Sequence, residues 1–261
     1  MTTAELRSNF LVENLMITDE VKMVYSHYDR IIVGGAKPVN KSLLLPNHNE
    51  LKAEYFLERR EMGIINVGGP GIVEADAERF SLNKLDCVYL GKGVQKVSFA
   101  SDNGASPVFY FLSAPAHAAH PAHLMKKEEA SPVTIGDMKT ANHRTIYKYI
   151  HADGIESCQL VMGLTVLGEG SVWNTMPAHT HTRRMEAYFY FDVQPEHRVI
   201  HLMGQPQETR HLIVANHEAI ISPPWSIHAG CGTANYSFIW GMGGENYTYT
   251  DMDAVAISDL R

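Results

Sequence analysis

Short apolar runs, rich in β-branched and aromatic residues, dominate the chain and predict β-strands. Gly, Pro, Asn or Asp residues bound these runs on both sides, as turn residues do. The clearest runs are RIIVGG (30–35), GIINVGG (63–69), CVYLGKG (87–93), VFYFLS (108–113), EAYFYFD (186–192), EAIISPP (218–224) and YSFIWGMGG (236–244). Many short strands with frequent turns are typical of a sandwich or barrel of the jelly-roll kind.

Helical periodicity is plain only near the N-terminus. The segment TAELRSNFLVENL has apolar residues at Leu6, Phe10 and Leu15, with Thr3 as the candidate cap. A second, short helix candidate is HNELKAEYFLERREM (48–62). The chain is therefore expected to be mainly all-β, with a few short helices.

The two halves of the chain repeat one order of strands and turns. In the first half, strands from GIINVGG to VQKVSF lead to SPVFYFLSAPAH; in the second, EAYFYFD and HLIVANHEAIISPPWSIHAG lead to YSFIWGMGGEN. A duplicated β-barrel would give this pattern. We expect one barrel in residues 1–125 and another in residues 126–261. Residues 113–145, rich in Ala, Pro and charge, are interpreted as a linker over the surface between them.

Composition and charge exclude several classes of protein. The 261 residues are enough for one large β domain or two packed halves. A net charge of -7 without a basic run argues against a nucleic-acid partner. No apolar run reaches the roughly 18 residues that a membrane helix needs. Three scattered cysteines and no secretory pattern at the N-terminus suit a cytoplasmic protein.

The segment PAHTHTRRMEAYFYFD (177–192) carries the strongest chemical signal. Residues i and i+2 of a strand face the same side, so His179 and His181 present two imidazoles together. In the strand that follows, Glu186 shares one face with Tyr188 and Tyr190. A hairpin would bring Glu186 beside the two histidines.

A further ligand is expected from SPPWSIHAGCG, where His228 follows a Pro-Pro turn. Three imidazoles and one carboxylate suit Zn, Fe, Mn or Ni, and zinc is the commonest of these. A His-x-His pair alone also occurs often on surfaces. The glutamate in register and His228 favour the metal site.

Longer blocks of the sequence resemble a known family. The order of the candidate ligands resembles the two cupin motifs, although the usual glycines are missing. The first motif is His-x-His, four residues and Glu, and the second is a Pro-led turn that ends in His. The blocks WNTMPAHTHTRRMEAYFYFD, YSHYDRIIVGG and QPQETRHLIVANHEAIISPPWSIHAGCGTANYSFIWGMGGENYTYTDMD resemble the 5-keto-4-deoxyuronate isomerases, and the similarity runs essentially end to end.

That resemblance implies a bicupin of two jelly-roll barrels, a homohexamer and one Zn²⁺ per subunit, with no metal in the first barrel. The implied zinc ligands are His179, His181, Glu186 and His228. The implied reaction interconverts 5-dehydro-4-deoxy-D-glucuronate and 3-deoxy-D-glycero-2,5-hexodiulosonate in pectin and uronate breakdown. Hydrogen moves from C2 to C1, either by proton transfer through an enediol or by a hydride shift.

The reaction also needs a base and a cation for the substrate carboxylate. Candidate bases, among which the sequence does not choose, are Glu245, Asp251, Asp253, Tyr188 and Tyr190. Arg183 and Arg184 are the first candidates for the carboxylate because arginine can bind it bidentately. Arg210 and His211 are alternatives, and Trp225 is a candidate wall of the pocket.

A second group of histidines is spaced by three residues, at His117, His120 and His123. Pro115 and Pro121 break a regular helix there, so a loop is favoured over a second metal site. The resemblance favours a site role for His117.

Two other functions remain open from the sequence. One is an iron-dependent cupin dioxygenase that uses the same ligands, and the other is a non-catalytic cupin that binds sugar acids. Oxygen-independent turnover of the uronate separates the isomerase from the first, and any turnover excludes the second.

Overall fold

Two β-barrels account for most of the chain. The computed structural model describes residues 1–244, 248 and 251–261. The strands are β1 (Leu11–Val12), β2 (Val21–Tyr25), β3 (Ile32–Ala36), β4 (Leu43–Leu44), β5 (Arg60–Asn66), β6 (Gly71–Ala75), β7 (Glu78–Leu82), β8 (Cys87–Leu90), β9 (Val97–Ser101), β10 (Phe109–Pro115), β11 (His123–Met125), β12 (Val133–Ile135), β13 (Arg144–Ile150), β14 (Val161–Leu167), β15 (Trp173–Asn174), β16 (His179–Thr180), β17 (Glu186–Phe191), β18 (Val199–Gln205), β19 (Glu208–Val214), β20 (Ala219–Ser222), β21 (Ala229–Gly232), β22 (Ser237–Met242) and β23 (Asp253–Ala254).

Helices are few and short. The α-helix α1 spans Thr3–Phe10, and 3₁₀ turns occur at Asn49–Leu51, Lys127–Glu129, Met138–Thr140 and Ile257–Asp259. The mainly all-β prediction is therefore confirmed. Within the part of the chain that the structure describes, no helix is long and apolar enough to cross a membrane.

Each barrel consists of a large and a small antiparallel sheet around an apolar core. The first barrel joins the order β11-β8-β5-β10-β3-β2 to the order β4-β9-β6-β7. The second joins the order β1-β20-β17-β22-β14-β13-β12 to the order β15-β21-β18-β19, and the pair β16-β23 lies beside them. The strands that follow one another in the sequence are therefore often not neighbours in a sheet, as expected for jelly rolls.

The two large sheets pack against each other through a third, shared core. Along β10, Phe111 points into the first barrel, whereas Tyr110 points into the shared core. Along β17, Tyr188 points into the second barrel, whereas Phe189 points into the shared core. Tyr110 stacks on Phe189 with ring centroids 4.4 Å apart. Both faces of these strands are covered, so every residue of β17 is buried.

A buried carboxylate joins the two barrels at one point. Glu61, in β5, is fully buried and accepts hydrogen bonds from the Tyr89 hydroxyl at 2.8 Å and from three backbone N–H groups of the other barrel. Those groups belong to Cys158, Gln159 and Leu160, at 2.7 to 2.8 Å. The four donors satisfy the carboxylate, as a charge inside a protein requires.

The N-terminal helix is confirmed, but its cap differs from the predicted one, and the strand after it pairs with a strand far along the chain. Thr2, rather than Thr3, caps it by accepting from Glu5 N. The chain then enters β1, where Leu11 pairs with Ile220 of β20. The segment was assigned to the first domain by sequence, yet it forms the edge of the second barrel's large sheet. The domain boundary itself stays a prediction.

The second helix prediction, over 48–62, is wrong. Only the 3₁₀ turn Asn49–Leu51 forms, and Lys52 after it adopts a left-handed conformation with φ of 48°. Phe56 and Leu57 then cover the core of the first barrel, and β5 begins at Arg60. Apolar spacing in this segment reflects burial by the barrel, which overrides helix propensity.

Residues 113–145 are more than the surface linker that the sequence indicated. Besides β11 and β12, they contain the start of β13. These strands extend both large sheets, with His123 paired to Tyr89 and Val133 paired to Ile146. The link between the barrels is therefore part of both.

Replacing Glu61 by Ala is expected to destabilise the protein by about 3 kcal/mol or more, because two buried N–H groups and the half-buried one of Gln159 would lose their acceptor, and each costs ~1–3 kcal/mol. Urea unfolding followed by fluorescence measures the change. The matched control is Glu74→Ala on the exposed face of β6, with an expected shift within about 0.5 kcal/mol. Equal shifts for the two variants would contradict the role given to Glu61.

Candidate metal centre

Four side chains from three parts of the second barrel meet at one end of its interior. His179 lies in β16, and His181 follows it in the turn toward β17. Glu186 is the first residue of β17 and pairs with Ser222 and Met242 on the neighbouring strands. His228 immediately precedes β21. The predicted hairpin and the Pro-led turn thus converge as the sequence indicated.

The donor atoms of the four residues lie within 4.8 Å of one another. His181 Nε2 lies 2.8 Å from Glu186 Oε2, and His228 Nε2 lies 3.0 Å from the same oxygen. His228 Nε2 is also 3.0 Å from His179 Nε2. Within the described ranges, no other group of three or more His, Cys, Asp or Glu residues has this geometry.

Burial and nearby charge keep the His179 imidazole in the form that binds metals. Burial, followed by the charge of His228, lowers the pKa of His179 to about 3. Burial acts to raise the pKa of Glu186, but the charge of His228 and hydrogen bonds from His181 and His228 outweigh it. The pKa of Glu186 therefore lies well below its usual value. A neutral imidazole and an ionised carboxylate are metal ligands without any proton loss.

The chemistry of these donors fits a divalent transition metal. Three nitrogens and one oxygen suit zinc, iron, manganese or nickel. The donor atoms face one another with little protein between them. The four residues could therefore hold a metal ion, and their identity matches the ligand set that the resemblance implies.

A second layer of polar side chains supports the cluster. Asp251 Oδ1 lies 3.9 Å from His181 Nδ1, and Asp251 binds Arg184 at 2.6 Å (Nε to Oδ2) and 2.5 Å (Nη2 to Oδ1). Metal-binding histidines commonly have such a carboxylate behind them. On the barrel side, the Tyr190 hydroxyl and His201 Nδ1 are 2.7 Å apart.

A cavity of about 560 Å³ opens onto the cluster. Its lining includes three of the four cluster residues, with His228 behind them, and it is otherwise largely apolar and aromatic, with Tyr188, Phe238 and Trp240 on the sheet side. The Tyr188 hydroxyl is 3.0 Å from Thr175 Oγ1. This volume suits a small organic molecule.

The predicted carboxylate-binding residues have different surroundings. Arg184 lines the cavity, but it is 1% exposed and its guanidinium is neutralised by Asp251. Arg183 is exposed and does not line the cavity. Trp225 is 44% exposed and packs against Phe10 in another groove.

The histidines at 117, 120 and 123 lie away from the cavity. His117 and His123 are exposed, and His120 lies 3.8 Å from Glu156. The structure does not gather the three into one group among the described residues. The site role of His117 and Trp225 stays a prediction.

The candidate bases also differ in pKa and in exposure to solvent. Burial, followed by the charge of Glu186, raises the pKa of Tyr188 well above its usual value, so its hydroxyl stays protonated. Burial acts to raise the pKa of Asp251, but the bond from Arg184 outweighs it, and the pKa is lowered. Asp253 is exposed and accepts from Thr182 at 2.6 Å. Glu245 lies outside the described residues.

Sequence reasoning missed one wall of the cavity. Arg144, Ile146 and Lys148 line it from β13, together with Val133 and Ile135 of β12. These residues fall in or next to the segment interpreted as a linker. The run RTIYKYI is rich in β-branched and aromatic residues, and that enrichment was the signal that could have identified a strand here, although not its partner in the sheet.

Comparison with known proteins shows relatives along the whole chain. The KduI/IolB family is matched over residues 10–257. Proteins named 4-deoxy-L-threo-5-hexosulose-uronate ketol-isomerase are 55% identical in Halalkalibacterium halodurans and 54% identical in Lachnoclostridium phytofermentans. Each match spans 261 residues, which is 100% of this chain and 95% of the relative. A protein of the same name in Yersinia pestis is 53% identical over 264 residues, with the same coverage.

Solved structures show the fold at much lower identity. An IolB-like protein from Salmonella typhimurium LT2 has a TM-score of 0.72 at 15% identity, over 95% of this chain and 97% of that one. Oxalate decarboxylase from Lactobacillus farciminis has a TM-score of 0.61 at 10% identity, over 91% and 83%. These likenesses confirm the predicted bicupin fold.

Replacing His228 by Ala is expected to abolish tight metal binding, because the cluster loses one of its four ligand atoms. Metal per chain, measured by inductively coupled plasma mass spectrometry after zinc loading and desalting, should fall from near one to near zero. His27→Ala, an exposed histidine of the first barrel, should keep the wild-type content. Full zinc content in the His228 variant would show that these four residues are not the metal site.

Proposed function

Because the chain belongs to the KduI/IolB family, we propose that it is a zinc-dependent ketol-isomerase. Its substrate is 5-dehydro-4-deoxy-D-glucuronate and its product 3-deoxy-D-glycero-2,5-hexodiulosonate, in the breakdown of pectin and related uronates. The observation that carries this proposal is the cluster of three histidines and one glutamate at a cavity, in a chain similar throughout to the ketol-isomerases.

Zinc is the proposed metal because nitrogen-rich donor sets with one carboxylate are typical of it. His179, His181, Glu186 and His228 would hold it. When bound, zinc supplies Lewis acidity for the oxygens on C1 and C2, which stabilises negative charge that develops on them. Asp251, which is paired with Arg184, lies 3.9 Å from His181 Nδ1 and would favour the tautomer of His181 that leaves Nε2 free for the metal.

The isomerisation is redox-neutral within one molecule. The hydrogen on C2 moves to C1, and the hydrogen of the C2 hydroxyl moves to the C1 oxygen, so the aldehyde becomes an alcohol and the alcohol becomes a ketone. No external oxidant or reductant is needed. The mainly apolar walls of the cavity limit water around the reacting carbons, which protects a proton in transfer from exchange.

Tyr188 is proposed as a hydrogen-bond donor to a substrate oxygen. Its phenol is protonated at neutral pH, for the reason given above, and it lines the cavity beside Glu186. Thr175 Oγ1 fixes the direction of the hydroxyl. A protonated phenol cannot take the C2 proton, and Asp251 is engaged with Arg184. Because Tyr188 acts as a donor in this proposal, the identity of the base among the other four candidates stays a prediction.

We also propose a cytoplasmic homohexamer. The cysteines Cys87, Cys158 and Cys231 are all free, which suits a reducing compartment. The hexamer is supported by the resemblance to the isomerase family. Exposed apolar side chains of β12, Val133 and Ile135, offer surface for contacts between copies.

Metal removal is expected to abolish isomerisation, and zinc alone should restore it. The substrate is 5-dehydro-4-deoxy-D-glucuronate, and product formation is followed by NMR with and without oxygen. The rate should be the same under both atmospheres, because the reaction consumes no oxygen. Turnover that requires oxygen and iron would instead identify a dioxygenase. Binding of the uronate by the zinc-loaded protein without any turnover would identify a sugar-acid-binding protein.

Tyr188→Phe is expected to lower kcat by on the order of 100-fold or more, with a smaller change in KM, because the donor acts on charge that develops during the reaction. Steady-state kinetics measures both constants, and zinc content should stay near one per chain. Tyr236→Phe is the matched control, since Tyr236 is a buried barrel tyrosine that does not line the cavity. An unchanged kcat in the Tyr188 variant would exclude the proposed donor.

A further inference from the structure

One wall of the cavity carries two basic side chains on a single strand. Arg144 and Lys148 alternate with Ile146 on the cavity face of β13. The residues between them, such as Tyr147, face the shared core instead. Strand geometry places side chains at i, i+2 and i+4 on one side, so both cations face the same cavity, with Cα atoms roughly 13 Å apart along the strand.

Neither cation has an acidic partner. Arg144 Nη1 donates to the Asn142 carbonyl oxygen at 2.8 Å, and no carboxylate of the described residues lies within 4.0 Å of either side chain. Arg184, by contrast, is held by both oxygens of Asp251. The cavity therefore contains one neutralised arginine and two cations whose charge is available to a ligand.

The surroundings make this arrangement costly without an anion. Both side chains are half-buried, and burial lowers the pKa of Arg144. A desolvated cation gains most from an ionised acceptor, which forms shorter and stronger hydrogen bonds than a neutral one.

The register of the sheet sets the distance from Lys148 to Tyr188, which lies two residues from Glu186 of the metal cluster. Lys148 lies opposite Gly163, which lies opposite Trp240, which lies opposite Tyr188. Neighbouring strands are ~4.8 Å apart, so the Cα atoms of Tyr188 and Lys148 are roughly 14 Å apart. Gly163 has no side chain, and the Trp240 ring lies over it. The Trp240 ring therefore covers the middle of the row and forms the cavity wall between its two ends.

That spacing suits a six-carbon acid. With bonds of ~1.5 Å, the end carbons of an extended six-carbon chain lie on the order of 6 Å apart. The side chains of Tyr188 and Lys148 both line the cavity, at the two ends of the row. A ligand with its C1 end at the metal cluster would present its acid end to β13.

We propose that Arg144 and Lys148 form the subsite for the carboxylate of the substrate and select sugar acids over neutral sugars. This inference rests on the proposed isomerase function for the identity of the substrate. The planar guanidinium of Arg144 suits two parallel hydrogen bonds to a carboxylate, and Lys148 adds a point charge. The sequence favoured Arg183 and Arg184 for this role. Arg183 does not line the cavity, and the charge of Arg184 is neutralised by Asp251.

The kinetic test uses Arg144→Gln and Lys148→Met, with Arg79→Gln and Lys22→Met as matched controls. The controls are strand cations of the first barrel in surface ion pairs. Each cavity variant is expected to lower kcat/KM for the uronate by on the order of 10- to 100-fold, mainly through KM, because a ground-state contact is lost. The controls should match the wild type, and all variants should keep their zinc content. Unchanged KM in both cavity variants would overturn the proposal.

A binding test separates this subsite from the reaction itself. Calorimetry compares D-gluconate, a six-carbon acid, with D-glucitol, its neutral counterpart, on the zinc-loaded protein. The wild type should prefer the acid, and the double variant Arg144→Gln/Lys148→Met should lose that preference. If the preference survives in the double variant, the subsite is wrong even when isomerisation is confirmed. If the wild type shows no isomerisation but the preference depends on the two cations, the function is wrong and the subsite stands.

Discussion

The site depends on the way in which β17 is held between two cores. Phe189 packs on Tyr110 across the interface of the large sheets, so the alternate residues of the strand must face the inside of the second barrel. That constraint turns Glu186 and Tyr188 toward the cavity. A shift of the strand by one residue would move Glu186 into the shared core and leave a carboxylate with no donors there. The apolar contact between barrels thus fixes the position of the most polar part of the site.

The same constraint explains how much of the site could be predicted. The cluster of three histidines and Glu186 depends on short-range patterns: a two-residue alternation, a tight turn and a Pro-led turn. These patterns are local, and the sequence carries them in full. The bicupin fold was equally accessible, because strand and turn signals occur throughout the chain and repeat in its two halves.

Features that depend on distant pairing were not accessible in this way. The apolar run of Phe56 and Leu57 has helical spacing, and only the barrel beneath it explains why it stays irregular. Leu11 of β1 joins a sheet whose other strands lie more than a hundred residues further along the chain. Arg144 and Lys148 follow a segment rich in Ala, Pro and charge, and nothing local indicates that β13 extends the wall beside β14.

The two barrels share a fold but differ in what fills them. In the first barrel, Phe99, Phe109 and Phe111 contact one another and occupy the interior. Phe111 lies so close to Gly34 that no other residue would fit there. In the second barrel, the Trp240 ring packs flat over Gly163, and the space in front of the sheet forms the cavity, which is lined by both apolar and polar side chains. The first barrel thus serves as a rigid backing for β17, while the second contains the cavity. Fold alone does not decide which barrel carries the chemistry; the size of the side chains that point inward does.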